Sequence, residues 1–165
     1  MKIFLTKFTI LLLIMSFYSQ SAVLPKADLV VVYKNKTTLE LLRNGKLLKR
    51  YHIAMGDFPK NHKVKEGDER TPQGRYVLDY KKSDSDFYRS IHISYPNEAD
   101  ILTANAQSVS PGGQIMIHGQ SPNSTMSPQE QQRYNWTNGC IAVTNVEMDE
   151  IWQSVDAGIP IELWP

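Results

Sequence analysis

Cys140 is the one cysteine of the chain. It lies in Trp136-Thr137-Asn138-Gly139-Cys140-Ile141-Ala142-Val143-Thr144-Asn145, downstream of an isolated His118-Gly119. A single thiol cannot close an internal disulfide. A lone cysteine with a histidine elsewhere has the makings of a nucleophile and its base, brought together by folding rather than by sequence. The plain alternative is a small buried hydrophobe. Gly139 favours chemistry, because the backbone can approach closely there and neighbouring N–H groups can converge on one point as an oxyanion hole. His118 ends the apolar run Ile115-Met116-Ile117. A histidine at a strand rim reaches into a cleft while the sheet holds its backbone. If the strands of His118 and Cys140 lie side by side, the thiol can pass its proton to imidazole and attack a carbonyl. The alternative for His118 is a strand-end residue bonded to solvent or backbone. His92, beside Ser94-Tyr95-Pro96-Asn97, is a candidate to face the same cleft as a substrate contact, with cross-strand packing as its alternative. His62, in a lysine-rich loop, and His52, on an outer strand, are poorly placed.

The elements that must position these residues read mainly as strands. Asp28 to Tyr33 is rich in β-branched residues; Thr38 to Leu42 and Lys46 to Ile53 flank Asn44-Gly45, a strong hairpin signal because both turn positions need positive φ. The polar stretch Asp57 to Asp68 predicts a surface loop. Thr71-Pro72-Gln73-Gly74 turns into a strand from Arg75 to Tyr80. Phe87 to Tyr95 alternates around Ile91 and Ile93 and predicts another. Asn97 to Gln107 reads as a short helix capped near Asn97. Pro111-Gly112-Gly113 then leads into a strand from Gln114 to His118. Ser127-Pro128-Gln129-Glu130 is a helix start with a capping serine and proline in the first turn. Asn145 reads as the cap of a helix from Val146 to Asp156 that Gly158 stops, and Ile159 to Trp164 closes as a strand. Many short strands with Gly and Pro turns predict a mainly β fold with a few short helices, sandwich-like or barrel-like.

His118-Gly119, then Thr137-Asn138-Gly139-Cys140-Ile141 with Asn145 behind, resembles the signature of the L,D-transpeptidase catalytic domain, also called the YkuD-type domain. Gly67-Asp68-Glu69-Arg70-Thr71-Pro72-Gln73-Gly74-Arg75-Tyr76 resembles a second segment of that family. The resemblance covers residues 28 to 165. It implies a β-sandwich-like catalytic fold whose cysteine attacks the carbonyl between the third and fourth residues of a peptidoglycan stem peptide. The terminal D-alanine leaves and the acyl group passes to an amine. Carried over, Cys140 is the nucleophile, His118 the base, and the Gly119 carbonyl orients the imidazole as an aspartate does in a serine-type triad. Amides around Gly139 and Cys140 would hold the oxyanion, with Thr137 and Asn138 beside the substrate. No metal or organic cofactor is called for. The chain departs from the pattern at Asn138, where the family usually has histidine, and at Ala142, where it often has arginine. Asn138 cannot act as a base. Losing the arginine removes a cation that could contact a substrate carboxylate. Tyr134 and Trp136 are candidates for a wall of the cleft or for packing beneath it.

Residues 1 to 22 read as a secretory signal: Lys2 and Lys7, an apolar run from Phe8 to Tyr18, then small residues at Ser19, Ser21 and Ala22. That run is short for a membrane span, which needs about 20 residues. Residues 23 to 165 then form one catalytic domain, of ordinary size for a single core. Cleavage removes two lysines and no acid, taking the formal charge from +1 to −1. Without a basic run, nucleic acid is not an expected partner. The expected setting is export across the inner membrane to the periplasm or cell wall, with no stable membrane insertion and a monomeric state. Three functions remain open. The first is transpeptidation; the second is peptidoglycan hydrolysis at the same Cys/His site. The third is a non-catalytic wall-binding module. An activated thiolate reacting well below the free-thiol pKa of about 8.5 would separate the enzymes from the module.

Overall fold

The structure is a computed structural model and describes residues 24 to 165. The expected signal peptide at residues 1 to 22 lies outside them. Eight strands make one mixed sheet: β1 (Leu29–Tyr33), β2 (Thr38–Arg43), β3 (Lys46–His52), β4 (Gly74–Ser85), β5 (Tyr88–Ile93), β6 (Met116–His118), β7 (Ile141–Ala142) and β8 (Ile159–Trp164). Their order is β3-β2-β1-β8-β4-β5-β6-β7. The pairs β1–β8 and β6–β7 are parallel, and the others antiparallel. Asn44 (φ 50°) and Gly45 (φ 71°) make the β2–β3 turn left-handed at both positions, as their types predict.

The two edges of the sheet meet. Ala54, just beyond β3, exchanges backbone hydrogen bonds with Ala142 of β7 at 2.9 and 2.8 Å. Gly56 forms a second bridge, to Thr137. The sandwich-like character therefore comes from one sheet curled until its edges touch, and Cys140 sits at that seam. Inside the curl lie Val30, Val32, Leu39, Leu41, Ile53 and Ile93, together with Met148 and Ile151 from the last helix. Ile117 and Ile141, register partners on β6 and β7, are fully buried in the same core. Burying such a side chain contributes roughly 1.5–3 kcal/mol, so the strands that carry the chemistry are anchored by their inward faces.

Among the described residues, three short α-helices and a 3-10 turn at Lys34–Lys36 complete the fold. α1 (Glu98–Ala106) starts at Asn97, whose side chain and that of Asp100 cap each other's backbone. α2 (Pro128–Gln131) starts at Ser127 with the same reciprocal bond to Glu130. α3 (Asn145–Ser154) starts one residue earlier than its sequence predicts, because Thr144 is the cap: its hydroxyl accepts from the Glu147 N–H at 3.3 Å and the Glu147 carboxylate reaches back. Thr144-x-x-Glu147 is a capping box, which Asn145 could not complete with Met148. That leaves the Asn145 side chain for other work. β4 runs on to Ser85, past the expected end at Tyr80. β6 is shorter than predicted, since Gly112 (φ 73°) and Gln114 (φ 57°) turn the chain until just before it.

Candidate active site

The β6–β7 register pairs Ile117 with Ile141 and His118 with Ala142. One step back along that register Cys140 falls beside Met116, whose N–H donates to Sγ at 3.4 Å. Strand side chains alternate between faces, so Met116, His118, Cys140 and Ala142 rise from the face opposite the buried isoleucines. Cys140 and His118 are then diagonal neighbours across the parallel β6–β7 pairing. The Cys140 thiol points toward the Gln114 carbonyl, 3.5 Å away. The His118 carbonyl accepts from the Val143 N–H at 3.0 Å, which ties the two strands together beyond the site.

His118 Nδ1 lies 2.6 Å from the Gly119 carbonyl oxygen. A carbonyl can only accept, so Nδ1 carries the proton and Nε2 presents a lone pair. The ring clusters with Phe87 (centroids 4.6 Å) and the edge-on Trp136 (5.6 Å), and the residue is 3% exposed. Burial lowers the His118 pKa to about 4, against the opposing pull of the Gly119 bond. Burial also raises the Cys140 pKa, against the Met116 N–H and the positive charge of Lys63. Both groups are therefore neutral near pH 7. Both shifts disfavour a pre-formed thiolate–imidazolium pair.

Thr137, Gly139 and Cys140 are held in one turn. The Thr137 hydroxyl donates to the Cys140 carbonyl at 2.7 Å and accepts from the Gly139 N–H at 3.2 Å. Two expectations change as a result. Gly139 spends its amide inside the turn, bonded to the Thr137 hydroxyl. Thr137, buried, braces the turn rather than meeting substrate. Gly139 itself has φ 121°, and a Cβ there would stand 2.6 Å from the Arg70 carbonyl, so no other residue fits. Asn138 is exposed and lines the cleft at Cys140.

His92 does not line that cleft. It shares the His118 face of the sheet through the β5–β6 register, but its Nδ1 bonds Asp79 at 2.7 Å and its ring stacks on Tyr80 at 4.5 Å. Asp79 and Tyr80 are the bulged residues of β4 opposite it, so His92 is engaged in the cross-strand packing that was its alternative. His62 bonds the Gln73 N–H and Asp100, both at 3.0 Å, and His52 the Gln132 carbonyl. Neither approaches the dyad. Trp136 packs against His118, while Tyr134 is largely exposed.

The cleft at Cys140 has a volume of about 500 Å³ and is lined by Lys63, Glu66, Glu69, Gln114 and Asn138 among others. A hollow of about 550 Å³ around His62 and Asp100 contains none of the dyad residues. Two contributors take structural roles that motif spacing does not reveal. Asn145 accepts from the Gln120 N–H through Oδ1 at 2.9 Å, and its side chain sits where a Cβ on Gly119 would be. The Thr144-x-x-Glu147 box was the signal that freed it. Lys63, in the loop read as surface, is 3% exposed; sequence offered no sign of its burial.

The curled mixed sheet thus carries a carbonyl-braced His118 on β6 and Cys140 at the head of the parallel neighbour β7. The chain matches the L,D-transpeptidase catalytic domain (YkuD) over residues 27 to 163, and it belongs to that family. It is 29% identical over 136 residues to YafK of Escherichia coli (strain K12), provisionally named an L,D-transpeptidase, covering 79% of this chain and 48% of YafK. The chain thus spans about half the length of the curated relatives it matches. Among solved structures it resembles the helical cell shape determining protein Pgp2 of Campylobacter jejuni. That likeness has a TM-score of 0.61 at 26% identity, over 82% of this chain and 46% of Pgp2. An L,D-transpeptidase from Mycobacterium smegmatis shares the fold: TM-score 0.54, 17% identity, 83% of this chain and 58% of that one.

Proposed function

We propose that this chain is an exported, cysteine-dependent L,D-transpeptidase of peptidoglycan stem peptides, working in cell-wall biogenesis or remodelling. The observation that carries the reading is the His118 Nδ1–Gly119 carbonyl bond at 2.6 Å, which leaves Nε2 as a base on the face that Cys140 shares. Attack begins from the neutral pair: as Sγ bonds the carbonyl carbon after the third stem residue, its proton passes to Nε2. The Cys140 amide stabilises the oxyanion. Collapse breaks the peptide bond, His118 returns the proton to the departing D-alanine nitrogen, and a thioester remains on Cys140. An acceptor amine then attacks the thioester, gives a proton to His118, and leaves a new amide and a free thiol. Residues 1 to 22 supply the export signal and residues 23 to 165 the catalytic domain, in the periplasm or cell wall. Pgp2, whose name ties it to helical cell shape, is consistent with a wall-remodelling role.

Asn138 and Ala142, the two departures from the family pattern, favour a second reading. With no histidine or arginine at these places, the acyl-enzyme can be intercepted by water, giving a carboxypeptidase or endopeptidase. Incubation of the mature protein with disaccharide-tetrapeptide, alongside Cys140→Ala, tests both. Crosslinked dimer with loss of D-alanine supports transpeptidation, and tripeptide without dimer supports hydrolysis. Absence of any Cys140-dependent product contradicts both and favours a wall-binding module.

A further inference from the structure

The loop from residue 63 to 70 is built around one buried carboxylate. Asp68 accepts from Lys63 Nζ at 2.8 Å and from the N–H groups of Val64, Lys65 and Arg70 at 2.8, 3.1 and 3.1 Å. Lys63 is 3% exposed, and its ammonium also donates to the Lys65 carbonyl at 3.0 Å. An ammonium has three N–H bonds, and these contacts use two. Lys63 nevertheless lines the Cys140 cleft beside Asn138 and Gln114. A buried ion pair gives a fold little that apolar residues of similar size would not give. A cation held this rigidly at the wall of a reactive cleft therefore points to recognition of an anion.

The charges of the cleft are sorted by depth. Lys63 is buried, whereas Glu66 is exposed and bonds the Ser110 hydroxyl at 3.3 Å, and Glu69 is half-buried. Ala142 adds no cation. In a terminal peptide residue the carboxylate carbon lies about 3–4 Å beyond the scissile carbonyl carbon, so its charge must fall in the same cleft as the nucleophile.

We propose that Lys63 is a specificity-determining residue that binds the terminal carboxylate of the donor stem peptide, the group that departs with the leaving residue. The inference rests on the acyl-transfer reading above. The third N–H of Lys63 makes the charge-assisted bond, while Asp68 and the Lys65 carbonyl hold the ammonium in place.

The test compares disaccharide-tetrapeptide with a free terminal carboxylate against the same molecule ending in a carboxamide. Release of the terminal residue is followed with the mature protein, Lys63→Arg and Lys63→Met. The unaltered protein should favour the free acid by about tenfold or more in kcat/KM. Lys63→Arg should keep most of that preference, and in Lys63→Met it should fall to near one. Equal turnover of acid and amide by the unaltered protein overturns the assignment, even if Lys63→Met fails to fold. So does a Lys63→Met protein that is slowed equally on both substrates, the mark of a lysine that only supports the loop. If neither substrate gives a Cys140-dependent product with the unaltered protein, the acyl-transfer reading itself fails and takes this assignment with it.

Discussion

Asn145 and His118 are joined through a single peptide group. The Gly119 carbonyl accepts from His118 Nδ1 at 2.6 Å, and the N–H of that same peptide unit, on Gln120, donates to Asn145 Oδ1 at 2.9 Å. The Gly119 N–H is held in turn by the carbonyls of Phe87 and Arg89, at 3.0 and 3.2 Å. The dipole that fixes the His118 tautomer is thus clamped by Asn145, the first residue of α3.

Asn145 is accordingly a positioning residue. Asn145→Ala should lower kcat by roughly 10- to 100-fold with little change in KM, because a loosened imidazole spoils alignment more than binding. Asn145→Asp retains an acceptor oxygen and should recover much of the loss. Steady-state kinetics on both variants checks this, and an Asn145→Ala protein with undiminished kcat would refute the clamp.

Burial of His118 makes the stability of the fold depend on pH. The folded pKa of about 4 lies below the unfolded value of 6.5. Between the two the unfolded chain binds more protons, so stability rises with pH in that window. The contribution is complete above about pH 6.5 and is lost as the pH falls through 4, about 3 kcal/mol in all. Denaturant unfolding at pH 7 and pH 4 should show a larger drop for the unaltered protein than for His118→Gln. Equal drops would show that His118 does not titrate in this window.

The thiol should behave as a buried one. With its pKa raised above the ordinary 9.0, Cys140 should alkylate slowly at pH 7, and the rate should still climb above pH 9. Lys63→Met removes a charge that favours the thiolate and should move the profile further up. Iodoacetamide modification followed by mass across pH 6 to 10.5 measures it. A plateau reached below pH 7 would mean a standing thiolate–imidazolium pair, contrary to the neutral dyad.

The sequence made some of this legible through purely local rules. Asn44-Gly45 marks its hairpin and Asn97 its helix cap, because those signals act within four residues. Cys140 and His118 stand out by type, and the parallel pairing of their strands is the arrangement their chemistry requires. Other features depend on contacts distant in sequence. The meeting of Ala54 with Ala142 closes the sheet through residues with no distinguishing type. The burial of Lys63 follows from Asp68 gathering backbone N–H groups around it, within a stretch whose charge reads as surface. His92 was drawn toward the cleft by its neighbours in sequence, while the β4 bulge supplies Asp79 and Tyr80 to hold it elsewhere. Thr144 rather than Asn145 is the cap because Glu147 stands three residues after it, a signal that is itself local in sequence.

The most direct measurement is the intact mass of the mature protein during reaction with disaccharide-tetrapeptide, quenched in acid to preserve a thioester. The expected result is an adduct equal to the substrate minus D-alanine, located on Cys140, absent from Cys140→Ala and nearly absent from His118→Gln. D-alanine release without any covalent species on Cys140, or an adduct that persists in Cys140→Ala, would contradict it.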